Sequence, residues 1–436
     1  MSRLMIRIGL LVASVGIVSF LAPPHVFSQE SEQSAPDTEA PKSEPADDAP
    51  EGDTPVATPA ATPAPAQPPA ETPAETPDQA PAGANAAVAQ AAYEKTLQEW
   101  KDVLKALRAL RVQYQNDGES PALLKQWDEL VAKGESMIPA LRSSSLAAYN
   151  AAPNTDPQLT RFLVKLLEDD IQHDRYEACV EVGKTLADNN CGIKQVYDLA
   201  GIACFATHDF ANAEKYLTEA QARGVLSSQE GGMQGQRYLP LIAEYKQLWE
   251  DEQARRGKEA EADDLPRVRI ETSKGVVVAE LFENEAPDTV GNFISLIEKG
   301  FYDGLKFHRV LAGFMAQGGC PLGDGTGDPG YKIYCECQKE NHRKHFRGSL
   351  SMAKGTPKDT GGSQFFFCLV PTAHLNGQHT VFGRVIEGMD VVTELQRIKP
   401  SDPAVDPSES SVDADVIQKI TVLRKRDHEY KPNKVQ

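Results

Sequence analysis

Phe307-His308-Arg309-Val310-Leu311-Ala312-Gly313-Phe314-Met315-Ala316-Gln317-Gly318-Gly319 is a mostly apolar stretch that sets one arginine a few residues from a phenylalanine and a methionine. Taken singly, Arg309 would be a surface ion-pair residue, and Phe314 and Met315 would be core, so the surroundings decide. Upstream, Val268 and Ile270, then Val276, Val278 and Leu281, lie on two runs separated by Ser273-Lys274-Gly275. This predicts a β-hairpin with a glycine-bearing turn. Ala286-Pro287 opens a helix whose buried face is Val290, Phe293, Ile294 and Ile297, and Lys299-Gly300 closes it. Downstream come short strands, glycine turns, a second amphipathic helix around Met389 to Ile398, and a last alternating strand from about Val416 to Leu423. Many short strands with two helices predict a closed β-barrel capped by helices.

With Leu350-Ser351-Met352-Ala353, Gly362-Ser363-Gln364-Phe365-Phe366 and Leu375-Asn376-Gly377-Gln378-His379-Thr380-Val381-Phe382-Gly383, the stretch resembles the cyclophilin signature, four blocks in family order within residues 265–436. The resemblance implies a closed, eight-stranded antiparallel barrel with a peptide groove on its outer face, and peptidyl-prolyl cis/trans isomerase activity on proline-containing polypeptides. Position by position, it makes Arg309 the catalytic arginine. Phe314, Met315, Phe366 and Leu375 become the pocket for the proline ring, and Gln317, Ala353 and His379 further groove contacts.

The chemistry fits these residue types. An X-Pro bond resists rotation by roughly 20 kcal/mol because the nitrogen lone pair is delocalised. Rotation calls for no nucleophile, metal or cofactor. It calls for a held proline ring, which an apolar cup supplies, and for fixed donors that favour the twisted amide over the planar one, which a guanidinium supplies. Phe365 and Phe366, adjacent in a strand, must face opposite ways, and Phe366 is expected outward in the groove. Several positions depart from the pattern. His374 stands where many eukaryotic members have a tryptophan that contacts cyclosporin, Lys354 and Gly355 replace a frequent Asn and Ala, and one residue is inserted between Ala353 and Gln364. These changes leave a second reading open, a binding or scaffold module that holds proline segments without turnover.

The remaining segments are of other kinds. Residues 1–28 read as an export signal, with Arg3 and Arg7 before the apolar run Ile8 to Ala22 and a cut expected at Gln29. The protein is therefore expected to be periplasmic or extracellular, without a membrane span once the signal is removed; an uncleaved N-terminal anchor is the alternative. Residues 29–85 hold 12 acidic residues, 13 prolines and one lysine, Lys42, a composition that stays extended and disordered as a spacer. Residues 86–264 are expected to be helical. Trp100, Val103, Leu104, Leu107 and Leu110 form one stripe, Asn116-Asp117-Gly118 ends that helix, and Ser120-Pro121 starts the next. Asp174-Arg175-Tyr176-Glu177 recurs 34 residues later as His208-Asp209-Phe210-Ala211, with Gly201, Ala213, Leu217 and Ala220 in register. This resembles a tetratricopeptide repeat, which implies a protein partner at this region; an ordinary helical hairpin bundle is the alternative. Glu250 to Asp264 reads as the solvated end of a helix or a second linker. The net charge of −18 offers no basic footprint for nucleic acid.

Cys335, Cys337, His342 and His345 lack a firm zinc spacing, and no metal is expected. Cys335 and Cys337, two apart, are not expected to bridge each other on a strand, so a local disulfide would have to use Cys320, and the pairing of the seven cysteines stays open. Gly323-Asp324-Gly325-Thr326-Gly327 lacks the Lys-Ser/Thr ending of a phosphate loop and reads as a turn. Residues 399–414 form an acidic, proline-rich loop.

Overall fold

The computed structural model describes residues 82–118, 120–228, 234–399 and 413–435. The expected signal, nearly all of the acidic spacer and most of the 399–414 loop lie outside the described residues. Among the described residues no helix is long and apolar enough to cross a membrane.

Two long helices come first, α1 (Ala82–Asp117) and α2 (Pro121–Ala151). Trp100, Val103, Leu104 and Leu107 are buried along the predicted stripe. Gly118 leaves α1 at φ +81°, and the Ser120 side chain accepts the Leu123 amide at 3.2 Å to cap α2. Two helical hairpins follow, α3 (Pro157–Gln172) with α4 (Tyr176–Asp188) and α5 (Gln195–Ala206) with α6 (Phe210–Ala222). Both turn through a left-handed residue, Asp174 at φ 60° and His208 at φ 68°, which is the structural counterpart of the 34-residue repeat. Close helix crossing explains Gly201, where a Cβ would lie 2.5 Å from Leu217 Cγ. Gly201→Ala is expected to destabilise the protein by ~1–3 kcal/mol through overpacking, read by urea unfolding. An unchanged midpoint would mean that α6 gives way freely.

After the short helix α7 (Gly235–Tyr238) and a single 3₁₀ turn, α8 (Ile242–Ala262) runs to a left-handed cap at Asp263. Its end is more than a solvated tail. Glu252 is buried, and with Glu259 it holds Arg343 of the strand-rich region.

Eight strands then form one antiparallel sheet in the order β3-β4-β6-β5-β7-β2-β1-β8. They are β1 (Arg267–Thr272), β2 (Gly275–Leu281), β3 (Arg309–Leu311), β4 (Met315–Gly318), β5 (Ser349–Met352), β6 (Phe365–Cys368), β7 (Val381–Glu387) and β8 (Ile417–Arg424). The expected closure is absent, and the sheet is open and curled, with β3 and β8 at its ends. β3 is three residues long, and its outer edge at Val310 is occupied by Ile398, through amide-to-carbonyl bonds of 2.9 and 3.0 Å in both directions. Next to the two end strands the chain meets at the isolated bridges Val310↔Ile398 and Lys306↔Val416, where the Gly304 and Phe307 amides also donate to the Ile417 and Asp415 carbonyls at 2.7 and 2.9 Å and the Ile417 amide donates to the Leu305 carbonyl at 2.8 Å. The same pairing shortens the second expected helix, since α10 is only Met389–Thr393 and Ile398 is drawn into the bridge. The first expected helix, α9 (Pro287–Glu298), buries Val290, Phe293, Ile294 and Ile297 against the sheet.

The helical and strand-rich regions belong to one compact unit. Phe346 packs among His208, Tyr245 and Trp249 at ring separations of 5.5, 5.7 and 5.0 Å. Arg347 reaches Glu177 at 2.6 and 2.7 Å and the Asp174 carbonyl at 2.8 Å. Buried Asp174 accepts the Gly313 amide at 2.7 Å and pairs with Arg397 at 2.7 Å, so the α3–α4 turn clamps the loop that leads into β4.

Candidate active site

Strand alternation sorts the signature residues onto two faces. Arg309 is opposite Gln317, and Leu311 opposite Met315. Gln317 is opposite Phe366, Met315 opposite Cys368, and Ser351 opposite Phe366. These form one face. The intervening residues Val310, Ala316, Phe365, Phe367 and Leu350 fill the main core. Phe366 is on the groove side and Phe365 within the core, as the alternation requires.

On the outer face Met315, Phe366 and Cys368 are buried, with Leu311, Phe314, Ala353 and Leu375 packed around them as a separate apolar cluster. The Arg309 guanidinium lies over the Phe314 ring, 5.6 Å from its centroid. Among the described residues it has no ion pair and no hydrogen-bond acceptor, and burial holds its pKa below the usual arginine value. Its donors are therefore unspent beside an apolar slot. Gln317 donates to Gln364 Oε1 at 2.9 Å, and Gln364 in turn donates to the carbonyls of Gly325 and Gly327, both at 2.8 Å. The glycine-rich turn is thus part of the groove wall. His379 meets Phe366 edge-on at 5.6 Å and donates from Nδ1 to the Met352 carbonyl at 3.0 Å, while burial lowers its pKa. The Ala353 amide is spent on the Gln364 carbonyl at 2.9 Å.

The eight predicted site residues are neighbours on this face: Phe314, Ala353 and Leu375 pack around buried Met315 and Phe366, Arg309 lies over Phe314, Gln317 is opposite Arg309 and Phe366, and His379 meets Phe366 edge-on. Sequence reasoning missed the support beneath it. His345, weighed there as a metal ligand, is buried parallel to the Phe366 ring at 6.1 Å, with Nδ1 on Asn376 Oδ1 at 3.0 Å and Nε2 on Ser351 Oγ at 2.9 Å. His342, its expected companion, is half-buried and turned to the Lys339 carbonyl. No local spacing marks this arrangement, because the partners come from three separate segments. Cys335 and Cys337 occupy a loop, where their sulfurs lie 2.9 Å apart as free thiols. Cys320 instead accepts the amides of Gly325 and Gly327 at 3.2 and 3.3 Å.

Burial pushes His345 down to about 3, with the Asn376 hydrogen bond opposing. It is neutral when folded and charges near 6.5 when unfolded. A group with a depressed folded pKa contributes its full stability above the unfolded value and loses it as pH falls toward the folded one. Between pH 7 and pH 5 this one residue should remove about 2 kcal/mol. Urea unfolding at both pH values should show a drop smaller by that amount in His345→Gln; equal drops would contradict it.

The sheet thus sets an apolar cluster beside a guanidinium that has no partner among the described residues, the two parts that the signature blocks imply for a prolyl-bond isomerase. The family description "Cyclophilin type peptidyl-prolyl cis-trans isomerase/CLD" matches residues 267–422. A peptidyl-prolyl cis-trans isomerase of Helicobacter pylori is 52% identical over 142 residues, 32% of this chain and 86% of the relative. Peptidyl-prolyl cis-trans isomerase B of Bacillus subtilis is 58% identical over 116 residues, 27% of this chain and 80% of the relative. Human peptidyl-prolyl cis-trans isomerase-like 1 is 43% identical over 138 residues, 31% and 81% of the two chains. The chain belongs to the cyclophilin-type peptidyl-prolyl cis-trans isomerases.

Proposed function

We propose that the chain turns X-Pro bonds of exported polypeptides, with Arg309 stabilising the twisted amide while Phe314, Met315, Phe366 and Leu375 hold the proline ring. Gln317, the Ala353 main chain and His379 would fix the flanking peptide. The observation that carries this reading is the unspent guanidinium of Arg309 beside the apolar cluster. A guanidinium in a partly desolvated site interacts more strongly with charge that develops on twisting than it would in water. The test is exchange NMR on an Ala-Ala-Pro-Ala peptide with the full chain. Catalysed cis–trans exchange is expected, and an exchange rate equal to that of peptide alone would remove the reading.

Action on exported proteins rests on the Arg3/Arg7 and Ile8–Ala22 pattern. The paired hairpins, turning at Asp174 and His208, support a tetratricopeptide-like region that meets a protein partner or client. Lys354, Gly355 and His374 favour a second reading, peptide binding without turnover. Saturable binding with no rate acceleration would select it.

A further inference from the structure

Next to the apolar cluster, Phe314 also lines a cleft of about 850 Å³ between the helical and strand-rich regions. One wall is Gln234 and Arg237, at and just before α7. The other is Phe314 and His374, with Arg397 and Lys399 beside them. Phe314 is thus shared, since the same ring borders the apolar cluster and stands under Arg309.

The cleft is cationic in a chain whose net charge is −18. Three of its lining residues are Arg237, Arg397 and Lys399, and among the described residues none that lines it is Asp or Glu. Arg237 donates to Gln234 Oε1 at 3.0 Å and to His374 Nδ1 at 2.7 Å, and among the described residues it has no carboxylate partner. His374 is deprotonated at that nitrogen and cannot discharge the guanidinium. Arg397 is partly neutralised by Asp174 at 2.7 Å, yet its Nε finds no acceptor. An extended peptide advances ~3.3 Å per residue, so a chain with its proline in the slot passes Phe314 and enters the cleft within a few residues.

Building on the isomerase reading, we propose that this cleft is a second substrate subsite, and that it selects proline-containing polypeptides with aspartate or glutamate a few residues from the proline. Arg237 supplies the charge, Gln234 and His374 hold it in place, and the helical region thereby takes part in substrate choice.

The test uses the full chain and six-residue peptides around Ala-Pro that carry two glutamates or two lysines, placed either before or after the proline. Both dissociation constants and exchange-NMR kcat/KM are measured at low and high salt. In one of the two placements the glutamate peptide should be preferred by about 5-fold, the range expected of exposed charge pairs acting together. That ratio should fall toward unity in Arg237→Glu and in Lys399→Glu, and also at high salt. A ratio near unity in the wild type, or one that Arg237→Glu leaves unaltered, would overturn the subsite. A dissociation-constant preference that persists without any catalysed exchange would support the subsite and bring down only the isomerase reading.

Discussion

Arg309→Ala is expected to lower kcat/KM for X-Pro exchange by ~10²–10³-fold, the loss seen when one preorganised donor to a developing charge is removed. The guanidinium engages no carboxylate among the described residues, so its removal orphans no buried partner. Stability should therefore change little, which separates this variant from one that merely unfolds. Arg309→Lys should recover only a small part of the rate, because an ammonium lacks the planar fork of fixed donors. Exchange NMR together with a urea midpoint on the same samples checks both halves. A rate within about 3-fold of wild type, far inside the loss expected for such a donor, would exclude Arg309 from the chemistry.

The largest expected effect on stability lies elsewhere. The Arg343 side chain is fully buried, bonded to Glu252 at 2.8 and 3.0 Å and to Glu259, 3.5 Å from Glu285, and stacked on Phe282 at 3.7 Å. Burial would raise the Glu252 carboxyl, but Arg343 and Arg256 bring it below its ordinary value. Arg343→Ala leaves these carboxylates facing one another in a poorly solvated space. Removing one partner of a buried ion pair costs ~3–5 kcal/mol, and that loss is expected in urea unfolding at neutral pH. It should shrink on acidification, because the stranded carboxyls would titrate at raised pKa values and their protonation would relieve the repulsion. Arg343→Met with Glu252→Gln should regain part of the loss. A cost below ~1 kcal/mol, the range of exposed pairs, would mean that the network is solvated.

Much of the site was visible in residue order because strand alternation is local. Once Arg309, Gln317 and Phe366 are placed on strands, the period of two sends them to one face and Phe365 to the other. Helix ends at Gly118, Ser120 and Gly300 were equally readable, since caps and left-handed positions depend on the residue and its nearest neighbours. Closure was misjudged because it depends on which segment reaches the outer edge of β3, and Ile398 arrives there from a loop. The charged run ending α8 looked solvated because nothing near it in sequence reveals Arg343, more than eighty residues away.

Strand and helix periods, end signals and the makeup of the apolar cluster beside Arg309 can thus be read from the order of residues, because each arises within a few positions of the backbone. The support under Phe366, the clamp of Asp174 on Gly313, the burial of Arg343 and the cationic cleft at Arg237 could not be read that way. Each joins segments far apart in the chain. Whether a charge or a ring is buried there depends on what packs against it, and the pattern around the residue carries no record of that.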